Sequence, residues 1–89
     1  MANITEDMLN DLYKTLVSLE TKEDCKLLLK DLCTHKEVEN MAQRIRAAKL
    51  LLNGETYNQV TEKTGIASAT LARVSDAVKY GEGYKKLLK

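Results

Sequence analysis

Apolar positions recur at helical spacing along most of this chain. Ile4, Met8, Leu12 and Leu16 repeat every four residues, with Leu9, Tyr13 and Val17 alongside. That stripe predicts a first amphipathic helix over about Thr5 to Leu19. Thr21, followed by Glu23 and Asp24, predicts a capped, acid-led start for a second helix carrying Cys25, Leu28, Leu29, Leu32 and Cys33. Thr34 with Glu37 three positions on forms a capping-box pattern. Val38, Met41, Ala42, Ile45, Ala48 and Leu52 follow as a third helix, widened by Leu50 and Leu51, until Asn53-Gly54 stops it. Stripes this wide suit helices covered on two sides. A chain of 89 residues buries roughly 60–65% of its unfolded surface, so a second copy is the simplest extra cover.

From residue 56 to 80 the pattern tightens into two short helices around a glycine. Thr56 with Gln59 is another capping box, and Val60 and Thr64 point inward one turn apart. Gly65 can take the positive φ that closes a turn, and Ile66 plugs the corner. The next helix starts at Ala67 or Ser68 and sets Leu71, Val74 and Val78 on one face at i, i+3, i+7. This is the skeleton of a helix-turn-helix, whose second helix can enter a DNA major groove. The outer face is Ser68, Ala69, Ala72, Arg73 and Asp76, small where a backbone must approach base edges. Gly81 and Gly83 then break the chain, and residues 84–89 form a last turn.

The domain plan is one all-α domain over 1–89 of five to six helices: dimerisation helices over 1–53, the helix-turn-helix over 56–80, and a C-terminal tail over 81–89. Charge sharpens the picture. The net charge is +1, yet residues 1–40 carry nine carboxylates against five lysines, while residues 41–89 carry nine Lys or Arg against four carboxylates. A basic half that coincides with the helix-turn-helix points to an anionic partner. Asn58, Gln59 and Lys63 on the first helix of the motif are candidate phosphate contacts, as is Lys79. Ala67, Ser68, Ala69, Thr70 and Ala72 are candidate base-facing residues, where Ala can touch a thymine methyl and Ser or Thr can bond either partner. None offers a bidentate base contact, so readout leans on water and DNA shape.

Other chemistry is sparse. Cys25 and Cys33, eight positions apart, lie roughly 12 Å apart along a helix, too far to bridge within it. One histidine, His35, and no Cys-x-x-Cys pair leave no visible metal site. No histidine is set with a nucleophile and an orienting acid, so no catalytic residue is assigned and an enzyme is not expected. No cofactor is expected either. The start, MANITEDML, has no basic patch before an apolar run, and no apolar stretch approaches the ~20 residues of a membrane span. A cytoplasmic location is the default.

The stretch from Leu32 to Lys79 resembles the Trp repressor superfamily, within it the YerC/YecD-like branch. The specific blocks are AQRIRAAKLLLNGETY and TGIASATLARV. The resemblance implies an all-helical, intertwined homodimer whose paired recognition helices enter successive major grooves, with half-sites roughly 34 Å apart. It also places Ser68, Ala69, Thr70 and Ala72 among the base-facing residues. Arg44 and Arg73 match two arginines that, in the tryptophan-binding member, hold the ligand's carboxylate and flank its indole. There the chain departs from the pattern. Val74 stands where the tryptophan binder has Gly, Ala77 where it has the serine that meets the amino group, and the segment after Gly54 is one residue shorter. Branching beside a snug pocket costs on the order of 1–3 kcal/mol. An amino-acid-like effector other than tryptophan, or none, is therefore implied. The expected function is a sequence-specific, double-stranded-DNA-binding transcriptional repressor; a sensor in which Arg44 and Arg73 hold a small-carboxylate co-effector is a separate reading. The alternative is a protein-interaction adaptor that keeps the helical dimer as scaffold.

Overall fold

The computed structural model describes residues 3–88. Six helices follow one another in it: α1 Glu6–Val17, α2 Lys22–Leu32, α3 His35–Leu52, α4 Tyr57–Thr64, α5 Ser68–Tyr80 and α6 Gly83–Leu87. They divide into two compact units, Met1–Thr34 and His35–Lys89.

In the first unit α2 starts where Thr21 predicts, and α1 starts at a cap of its own, Thr5, which the apolar stripe had placed only as the approximate helix start. The Thr5 hydroxyl accepts from the Met8 N–H at 3.2 Å, and the Thr21 hydroxyl from the Asp24 N–H at 3.0 Å. Acidic residues fill both first turns, where they complement the positive end of the helix dipole. α1 stops at Val17, short of the expected Leu19. α2 stops at Leu32, so Cys33 is not a helix residue. It is the extended C-cap, with φ −124° and ψ 156°, and the helical spacing drawn between the two cysteines does not apply. Both thiols are free and half-buried. Neither helix buries any residue fully.

The second unit is built on α3, which packs against α4, α5 and α6. Its core is Ala47, Ala48, Val60, Ile66, Leu71 and Val74, with Leu50, Leu51, Val78, Tyr84 and Leu88 packed around it. Adjacent alanines at a helix contact shorten the distance between axes, and both are fully buried here. The earlier half of the α3 stripe differs from expectation. Val38 and Met41 are half-buried, whereas Ala42 and Ile45 are exposed. Gln43, Ala47 and Leu51 lie on the face of α3 turned toward its neighbours, and Ala42 and Ile45 lie on the opposite side.

The turns obey local chemistry. After α3, Gly54 takes φ +88°. The Gly54 N–H bonds Leu51 O at 3.0 Å and the Glu55 N–H bonds Leu50 O at 3.1 Å, the paired bonds of a Schellman ending. At the far end, Lys85 Nζ donates to Lys79 O at 2.8 Å, a cation on one of the last carbonyls of α5. The expected last turn is the five-residue helix α6, which seats Tyr84 against the core. Ser75 is also buried, a position that apolar periodicity could not show.

Candidate nucleic-acid interface

α4 opens with a complete capping box. The Thr56 hydroxyl accepts from the Gln59 N–H at 3.2 Å, and Gln59 Oε1 accepts from the Thr56 N–H at 2.8 Å. It closes on Gly65 at φ +69°, in the left-handed region that the sequence pattern required. The Thr64 hydroxyl donates to Val60 O at 2.7 Å and accepts from the Ile66 N–H at 3.2 Å. Ile66, 2% exposed, fills the corner. A residue the sequence pattern passed over completes the turn: Gln43 of α3 donates through Nε2 to Thr64 O at 2.9 Å. The turn is thereby tied to the longest helix, which fixes the direction in which α5 leaves.

α5 opens on Ala67, which offers no side-chain acceptor to the first turn. The first N–H groups of a helix lack intrahelical partners and carry the positive end of its dipole, an arrangement suited to phosphate. Ala67, Ser68 and Ala69 are exposed, Thr70 is half-buried, and Ala72 and Arg73 are exposed. Behind them Leu71 and Val74 are buried at 1% and 2% exposure. The small-residue tip therefore stands out from its own unit on a rigid backing. Lys79 is exposed in the last turn of α5, and Asn58, Gln59 and Lys63 are exposed on α4. Two of these have internal work. Gln59 gives its carbonyl oxygen to the cap, and Lys63 Nζ lies 2.5 Å from Glu55 Oε1.

Arg44 and Arg73, 29 positions apart in sequence, line one cleft of about 610 Å³. Thr70 stands at its α5 side, and Val74 and Ala77 form part of its wall. Arg44 donates through Nε to Asn40 O at 3.3 Å. Lys36, Gln43 and Tyr84 also line the cleft and were not foreseen. Lys36, Asn40 and Arg44 recur every four residues, so asking which residues share the Arg44 face of α3 would have found the first of these. Nothing in the sequence announces Tyr84.

The sequence model of the family described as Trp repressor protein matches residues 7–89. The chain belongs to the Trp repressor family. It is 37% identical over 73 residues to the uncharacterized protein YerC of Bacillus subtilis, covering 82% of this chain and 70% of that one. Its fold is similar to the crystal structure of a proposed Trp repressor from Staphylococcus aureus. The TM-score there is 0.90 at 30% identity, over 94% of this chain and 85% of the other. A TrpR-like protein from Eubacterium eligens gives a TM-score of 0.87 at 32% identity, over 94% and 87%. Membership in the family makes the chain a DNA-binding regulator of the helix-turn-helix type, a non-enzymatic class. No helix among the described residues is long and apolar enough to cross a membrane.

Proposed function

We propose that this chain is a homodimeric transcriptional repressor of the cytoplasm that reads the major groove with the start of α5. One observation carries the proposal. The tip Ala67–Ser68–Ala69 is small and exposed on a helix whose rear face, Leu71 and Val74, is locked in the core. Small side chains let the backbone approach base edges, and a buried rear face holds that approach at one angle. Asn58, Lys63, Arg73 and Lys79 then serve as phosphate contacts around it, with Gln59 contributing what its cap leaves over. A second copy is supported by the apolar surface of α1. Met8, Leu12 and Leu16, successive turns of one face, are 51%, 37% and 42% exposed within one chain, an apolar stripe that a second copy would cover.

Fluorescence anisotropy on duplex DNA across a salt series tests this. Affinity falls with salt at a log–log slope of roughly −0.9 for each phosphate neutralised. Absence of binding to every duplex at low salt overturns the proposal.

A second reading is favoured by the shared cleft of Arg44 and Arg73, which fits a small carboxylate co-effector that tightens DNA binding. Linkage then requires DNA to raise effector affinity by the same factor. Val74 and Ala77, which stand where the tryptophan binder has glycine and serine, form part of the wall and argue against tryptophan as that effector.

A further inference from the structure

The cleft beside α5 gathers positive charge and no negative charge. Lys36 and Arg44 reach it from α3 and Arg73 from α5, and no Asp or Glu lines it. No carboxylate among the lining residues neutralises these cations. Arg44 commits only Nε, to Asn40 O, which leaves its two terminal nitrogens open. Like charges around one cavity raise one another's energy, and an anion held among them removes that repulsion. Thr70 and Tyr84 add neutral hydroxyl groups to the wall.

We infer that the cleft binds a small dianion, a metabolite bearing a phosphate monoester or two carboxylates, with Lys36 supplying the charge that a monoanion does not need. The inference rests on the co-effector reading and names its ligand class. A zwitterionic amino acid is the poorer fit. Its ammonium group needs a carboxylate or a free acceptor, and three cations repel it. Size agrees, since about 610 Å³ lies within the ordinary range of small-molecule sites and well above a lone phosphate.

The test is thermal unfolding of the full chain at fixed ionic strength and protomer concentration. The probes are succinate and glycerol phosphate as dianions, and glycine and L-tryptophan as zwitterions. Dianions raise Tm in proportion to the logarithm of concentration once above Kd, and zwitterions leave it unchanged. Lys36→Gln weakens the dianions about tenfold, the scale of one charge-assisted contact. Lys26→Gln, an equal charge change on α2, leaves their affinity unaltered. Equal binding of zwitterions, indifference to Lys36→Gln, or no shift with any probe overturns the inference.

Duplex binding measured with and without the dianions separates this outcome from the regulator proposal. DNA binding with no probe shift sinks the cleft ligand alone. Probe shifts with no DNA binding, even when the dianions are present, sink the regulator and spare the cleft. If DNA excludes the dianions one for one, and Lys36→Gln lowers the salt slope by about one phosphate, the cleft seats a DNA phosphate and the small ligand is refuted.

Discussion

Replacing Gly65 with alanine isolates the turn that aims the recognition helix. Gly65 sits at φ +69°, where an L-residue pays about 1–2 kcal/mol through contact of its Cβ with the backbone. Space adds nothing to that cost, because the nearest atom to a new Cβ is Gln43 Nε2 at 4.0 Å, an ordinary contact. Alanine also restricts the unfolded chain, which offsets about 0.4–1 kcal/mol. The net loss is therefore about 1 kcal/mol. With a urea m-value of about 2 kcal/mol/M, the midpoint falls by about 0.5 M with m unchanged. Gly83→Ala supplies the opposite sign. Gly83 lies in α6 without a positive φ, and a Cβ there meets nothing within 4 Å. Alanine should stabilise by about 0.4–1 kcal/mol, chiefly by restricting the unfolded chain. Far-UV circular dichroism at fixed protomer concentration reads both, since dimer stability depends on concentration. Gly65→Asn should lose less than Gly65→Ala, because asparagine tolerates the left-handed region. A neutral or stabilising Gly65→Ala would refute the left-handed turn, and with it the direction assigned to α5.

Gln59→Glu separates capping from DNA contact. Glutamate still accepts the Thr56 N–H and favours the helix N-terminus, so stability holds. A negative charge facing phosphate should cut DNA affinity about fivefold, from roughly 1 kcal/mol of repulsion in water, and unchanged anisotropy titrations would remove Gln59 from the interface. Leu71→Ala, in a side chain 1% exposed, should cost about 2–5 kcal/mol. That is a large part of a typical total stability, and a urea midpoint near wild type would show the rear of α5 to be loosely packed. Met8→Glu with Leu12→Glu should shift the chain from dimer to monomer in sedimentation velocity without loss of helix signal. An unchanged dimer would place the interface elsewhere.

Much of the architecture was legible along the chain because its signals are local. Thr21 and Thr56 each sit three residues before the N–H they accept, and Gly65 announces its own φ. Capping and left-handed turns involve neighbours in sequence, so spacing alone reveals them. The inward face of α5 was equally plain, because Leu71, Val74 and Val78 must share one side of any helix. The exposed tip followed by subtraction.

What lay beyond the chain's local order was contact between helices. Periodicity put Ala42 and Ile45 on an inward stripe, yet α3 turns the opposite face, with Gln43, Ala47 and Leu51, toward its neighbours, and a wide stripe does not say which of its edges will be covered. Gln43 looked like surface until α3 brought it to Thr64 O, 21 positions away. Arg44 and Arg73 could be paired only by resemblance. Their common cleft, with Lys36 beside them and Tyr84 folding back from α6, exists because three helices converge there. Local spacing and capping thus determined the inward face of α5 and the starts of α2 and α4. Tertiary packing alone decided which charges meet, because Coulomb energy depends on distance in space and the chain carries that distance nowhere in its order.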